Sequence, residues 1–149
     1  MPTELTFERF DEEYVAKILG RTGRRGVDAY LGIVVTAFTP GRLVAEFEAR
    51  EELITPLGSM HGGCLSALVD HCLGVIMYPV MPVGSWAATT EFKVNLLAPV
   101  SGGICRATAQ IRSMSRRLAV VGIEVENADR LVALAQGTCT IVAPRGPVT

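Results

Sequence analysis

The chain has 149 residues, 49% hydrophobic and 19% charged, with 14 basic against 15 acidic side chains and a net charge of −1. That length suits one domain burying on the order of 70% of its unfolded surface, and the composition is that of a folding chain rather than a disordered one. A charge this close to zero gives no long-range attraction to nucleic acid or to an anionic membrane, so neither is expected as a partner.

Residues 7–19 read as an amphipathic helix, with Phe7, Phe10, Tyr14, Val15 and Ile18 on one face and Gly20 as its stop. Residues 1–11 lack a basic start followed by an apolar run, so no secretory signal is expected. A Gly/Arg loop leads to a strand over residues 30–38; Pro40-Gly41 turns the chain, and residues 43–47 return as a hairpin. After Gly58 comes a helix in which Leu65, Leu68, Val69, Cys72, Leu73 and Ile76 recur at spacings of three and four. Ala67, Val75 and Met77 make it apolar nearly all round, so other structure should wrap it. Pro79 and Pro82 end it, and the apolar stretch 73–83 is too short to cross a bilayer.

The rest reads as β. Residues 86–97 are rich in Thr, Val and aromatics, and residues 99–103 break them. Residues 104–114 alternate, with Ala107, Ala109 and Ile111 opposing Arg106, Thr108, Gln110 and Arg112. Ala119, Val121, Ile123 and Val125 then oppose Glu124 and Glu126; Asn127-Ala128-Asp129-Arg130 turns the chain; Ala135, Cys139 and Ile141 oppose Gln136, Thr138 and Thr140. Three strands with short connections imply an antiparallel meander, apolar on one face. One long apolar helix and such a sheet predict an α+β fold in which the sheet curls around the helix. Residues 1–28 are expected to be an N-terminal helix and loop of the same domain, 29–143 the main domain and 144–149 a tail. Cys64, Cys72, Cys105 and Cys139 form no Cys-x-x-Cys pair and read as reduced, buried small hydrophobes, which suits a cytoplasmic protein.

The segment His61-Gly62-Gly63 opening the long helix, and Asp70 within it, carry the most specific chemistry. A helix N-terminus offers unpaired N–H groups and partial positive charge, and glycines let a ligand carbonyl approach that backbone. Such donors stabilise the oxyanion formed when a carbonyl is attacked. Asp70, expected to be buried, needs a reason for its desolvation; general-base or nucleophilic chemistry is one, a structural acid the other. Gly63 and Asp70 lie seven residues apart, about 10 Å along a helix, too far to act on one carbonyl from one chain. Joint action therefore requires a second subunit with its helix alongside, a homodimer with composite sites. His71 points about 100° away from Asp70 and reads as a structural or interface histidine. No metal-ligand cluster, Gly-x-Ser-x-Gly elbow or phosphate-binding glycine motif occurs, so no metal or separate cofactor is expected. The arginines at 21, 24 and 25, and at 112, 116 and 117, are either solvated loop charge or contacts for a phosphorylated ligand.

His61-Gly62-Gly63, Asp70 seven residues on, and the strand 91–100 ending in Ala98-Pro99-Val100 resemble the hotdog-fold acyl-CoA thioesterases, in particular the phenylacetate-pathway (PaaI-like) branch, over about residues 55–142. The resemblance implies a long central helix wrapped by a curved antiparallel sheet, a dimer or dimer of dimers, and hydrolysis of an acyl-CoA whose CoA is part of the substrate. By position, Gly62 or Gly63 would donate the oxyanion N–H, Asp70 would be base or nucleophile, and Thr89 would help hold the attacking water. His61 would order the loop before the helix beside the substrate, and Arg116 and Arg117 would contact CoA phosphates. Thr55 stands where many relatives carry a side-chain amide, and its hydroxyl supplies fewer donors to a water. Two other functions fit the same fold: an enoyl-CoA hydratase or dehydratase using His61 with Asp70, and an acyl-CoA binder without turnover.

Overall fold

The structure, a computed structural model, describes residues 5–144; residues 1–4 and most of the expected tail, 145–149, lie outside the described residues. In chain order the elements are α1 (Glu12–Ile18), α2 (Val27–Leu31), β1 (Val34–Thr39), β2 (Arg42–Glu48), a 3-10 turn at Glu51–Leu53, α3 (Gly62–Ile76), β3 (Trp86–Leu96), β4 (Ile104–Met114), β5 (Leu118–Asn127) and β6 (Arg130–Val142). Every strand pair is antiparallel, and the six strands form one curved sheet in the order β1-β2-β4-β5-β6-β3. The strictly alternating segments became β4, β5 and β6; β5 and β6 are joined at Ala128 and Asp129, whose positive φ angles of 50° and 58° give the hairpin turn that matches strand twist.

The core lies between α3 and the sheet's inner face. Leu68, Val69, Cys72, Leu73 and Ile76 are fully buried against inward residues such as Ala107, Val121, Val125 and Cys139. Burying one such aliphatic side chain stabilises the fold by about 1.5–3 kcal/mol before conformational entropy is counted. Gly137 sets how closely the helix approaches. A Cβ there would lie 2.7 Å from Leu73 Cδ1, 2.9 Å from Phe92 Cβ and 3.0 Å from the Glu91 carbonyl oxygen.

Two sequence expectations are corrected. The helix expected over residues 7–19 begins only at Glu12, because Asp11 is its N-cap and accepts the Tyr14 N–H at 2.9 Å. Phe7 and Phe10 instead pack on the first hairpin, Phe7 beneath Gly41 and Phe10 against Phe38 with ring centroids 6.2 Å apart. The strand expected from residue 30 begins at Val34, since Tyr30 and Leu31 complete α2, which Gly32 ends in the left-handed conformation at φ 73°. No helix among the described residues is long and apolar enough to cross a membrane.

Candidate active site

The entry to α3 is held from three sides. Met60 N–H donates to the Val100 carbonyl at 2.7 Å, Thr55 N–H to the Ser59 carbonyl at 2.9 Å, and His61 Nδ1 accepts the Gly63 N–H at 2.9 Å. His61 is thus the N-cap of α3, and it occupies one of the two glycine N–H groups expected to serve an oxyanion. The Gly62 N–H has no acceptor among the described residues. It borders an apolar cleft of about 230 Å³ with Met60, Leu65, Leu96 and Leu97. A Cβ on Gly62 would collide with the end of Leu96, so the missing side chain is what keeps this backbone reachable.

Asp70 was expected to be buried; it is exposed. The sheet covers the flank bearing Leu65, Leu68, Cys72 and Ile76 and leaves the flank bearing Gly63, Ala67, Asp70 and Gly74 open to varying degrees. Asp70 faces a broad cleft of about 610 Å³ with Gly74, Ala87, Thr89, Thr90 and Phe92. Thr89 reaches this cleft because β3 carries a bulge. Thr89 pairs with Cys139 but Glu91 pairs with Thr138, leaving Thr90 as the extra residue. Before the bulge the odd-numbered Ala87 and Thr89 align with inward residues of β6; after it, the even-numbered Phe92, Val94 and Leu96 do. The Thr90 and Thr140 hydroxyls are 2.5 Å apart, and Thr138 Oγ1 donates to Glu91 Oε1 at 2.6 Å, which fastens the bulge to β6.

A family model described as "Thioesterase superfamily" matches residues 57–134, the segment containing α3 and β3 to β5 and the start of β6. The chain belongs to the thioesterase superfamily. Membership places it among the thioester hydrolases. Acyl-coenzyme A thioesterase 13 of Homo sapiens is 24% identical over 125 residues, covering 83% of this chain and 89% of its own length. Two solved structures share the fold: a thioesterase from Haemophilus influenzae at TM-score 0.79 and 20% identity, with 100% of each chain covered, and the PaaI protein of the E. coli phenylacetic acid degradation operon at TM-score 0.76 and 22% identity, with 90% of this chain and 92% of that one covered.

Within this thioesterase, the candidate residues fall into three groups. Asp70 and Thr89 share the broad cleft, while His61, Gly62 and Gly63 sit at the other end of α3. Thr55 lies beside the latter, but its hydroxyl closes its own loop, donating to the Ser59 carbonyl at 2.8 Å and accepting the Leu57 N–H at 3.3 Å. Arg116 and Arg117 are exposed in the β4–β5 turn; the Arg117 carbonyl accepts the Ile141 N–H at 2.8 Å, which puts the turn at the Trp86 end of β3. Among the described residues no group of three or more His, Cys, Asp or Glu side chains could hold a metal. Sequence reasoning missed the bulge at Thr90 and the cleft roles of Leu96 and Phe92. The switch in apolar parity along 87–96 was the available signal.

Proposed function

We propose that this thioesterase hydrolyses acyl-CoA in sites shared between two copies of the chain, each joining Gly62 of one protomer to Asp70 of its partner. The observation that carries this reading is their placement. Gly62 and Asp70 are eight residues apart on one helix, about 12 Å by helical rise, and open on different clefts along β3. β3 is an edge strand of 11 residues whose outer N–H and C=O groups have no partner strand among the described residues, and Trp86, Phe92, Leu96 and Leu97 along or just after it are exposed. A long apolar edge calls for a cover. Two-fold antiparallel pairing of β3 with a second copy about its midpoint, Glu91, would set Leu96 opposite the partner's Trp86. Because α3 runs antiparallel to β3, the Gly62 end would then meet the partner's Asp70 end.

In such a site the thioester carbonyl oxygen accepts the Gly62 N–H at the positive end of α3. Asp70 takes a proton from water as it attacks the carbonyl carbon, or attacks that carbon itself to give an anhydride that water opens. On the first route, collapse breaks the C–S bond, expels the CoA thiolate and leaves the free acid. On the second, the same bond breaks as the anhydride forms, and water opening the anhydride releases the acid and restores Asp70. Thr89 Oγ1 orients the water, and Arg116 and Arg117 meet CoA phosphates through their planar donor forks. His61 supports the Gly63 turn, so its Nδ1 is not available as the base a hydratase would need. A second reading, an acyl-CoA binder without turnover, draws on Thr55, whose hydroxyl is engaged within its loop.

The test is thiol release from short, long and aryl acyl-CoAs by wild type, by Asp70→Asn, by Gly62→Leu, and by the two variants mixed and refolded. Release by wild type, loss in each variant alone and recovery in the mixture support shared sites. Absence of recovery in verified mixed dimers refutes sharing, and binding with no release by wild type favours the second reading.

A further inference from the structure

The flank of α3 next to Asp70 borders a cavity whose lining includes none of the candidate site residues. His71 and Val75 face a space of about 310 Å³ bounded by α1, residues 21–24, Asp28 of α2, and Ile33 and Val35 at the start of the first hairpin. That volume lies at the lower end of small-molecule sites, roughly 300–1,000 Å³. Its walls are pinned: the Gly20 N–H donates to the Val35 carbonyl at 2.8 Å, and Tyr14 stacks on Tyr78 with ring centroids 5.7 Å apart. Its floor is aliphatic, formed by Ile18, Ile33, Val35 and Val75. Arg21 and Arg24 stand at its rim, and neither forms an ion pair among the described residues, whereas Lys17 beside them is held by Glu13 at 2.7 Å. The His71 imidazole is half-buried and forms no hydrogen bond among the described residues. Burial holds it below the usual histidine range, against the pull of Asp28 and Asp70, so near neutral pH it is an uncharged donor and acceptor.

We propose that this cavity binds a small amphipathic carboxylic acid, its carboxylate on Arg21 and Arg24 and its apolar body on Ile18, Ile33, Val35 and Val75. Each part of the cavity selects for that class. The guanidinium fork suits a carboxylate, while an aliphatic floor offers nothing to a bare inorganic anion. Asp28 in the wall opposes a multiply charged ligand and places the single negative charge outward, at the rim. The free acid left by thioester hydrolysis belongs to this class, so the site would sense product one residue along α3 from Asp70. The binding claim does not depend on turnover and can be measured without it.

The chain has two histidines, His61 at the entry to α3 and His71 in this cavity, so their ring NMR signals report the two places separately. Wild-type protein titrated with octanoate or phenylacetate should show a saturable shift of His71. An Arg21→Gln/Arg24→Gln double variant should bind roughly tenfold or more weakly, as loss of charge-assisted bonds implies. Val75→Trp, filling the floor, should abolish the shift. A His71 signal that does not move, or that moves equally in the double variant, overturns the proposal. So does inorganic phosphate or 3′,5′-ADP moving His71 at the same concentrations, which would make the rim a phosphate site.

Discussion

The two flanks of α3 obey different rules. One carries Leu65, Leu68, Val69, Cys72, Leu73 and Ile76, each at most 4% exposed, and every one is explained by contacts within the chain. The other carries Gly63, Ala67, Asp70 and Gly74, where side chains are small or charged. A helix-interior glycine such as Gly74 costs about 0.5–1 kcal/mol against alanine, and a Cβ added to it would touch nothing within 4 Å. Burial within one chain accounts for the first flank. The second becomes intelligible only when something outside the chain, substrate or second copy, lies against it.

The sharpest way to break that contrast is to remove the charge on the open flank. Asp70→Asn preserves shape and should leave folding unchanged, since the exposed side chain forms no ion pair or hydrogen bond among the described residues. Turnover should fall by about 10²–10⁴, the range for loss of a general base. Parallel thermal denaturation and thiol-release assays check both halves. Wild-type turnover in the variant would take Asp70 out of the chemistry.

The buried flank should answer in the opposite way. Leu73→Ala removes a fully buried side chain packed over Gly137 and should cost about 2–5 kcal/mol of stability, read as a lower urea midpoint with little change in per-molecule activity below the transition. The same flank has an alkaline signature. Burial pushes the Cys72 thiol up to about 12 from an ordinary value of 9. The folded chain therefore keeps that proton at pH values where the unfolded chain has lost it. Its contribution is complete below about pH 9 and is lost as pH rises toward 12. Urea midpoints falling above pH 9 would show this, and a flatter profile in Cys72→Ala would assign it.

Legibility in the sequence divides along the same line. The strict alternation of Ala107, Ala109 and Ile111, and of Ala119, Val121, Ile123 and Val125, identified the meander because those residues answer to one force, burial within the chain. The α3 spacing worked for the same reason. Asp70 was misjudged as buried because an apolar helix does not say how far round it the sheet will reach. Tyr30 and Leu31 suit a strand by local propensity, yet Gly32, whose left-handed φ closes a helix, ends α2 immediately after them. Asp11, followed by Glu12 and Glu13, was a readable cap signal that the longer apolar pattern of residues 7–19 concealed. The bulge at Thr90 was written as a parity switch from Ala87 and Thr89 to Phe92, Val94 and Leu96. It turns one strand to two purposes, a hydroxyl toward the Asp70 cleft and apolar side chains toward the core and the Gly62 cleft.

The smallest expected effect falls where the two flanks meet, at the first turn of α3. His61→Ala removes the acceptor that caps the Gly63 N–H and should lower stability by about 0.5–2 kcal/mol. His61→Asn, whose side-chain oxygen can also cap, should recover most of that loss. If Gly62 supplies the oxyanion N–H, neither change removes it, so the activity of folded protein should fall far less than in Asp70→Asn. A collapse of turnover in the stable Asn variant would instead place the His61 imidazole in the chemistry and move this residue from the architecture of the helix to the open side of the comparison.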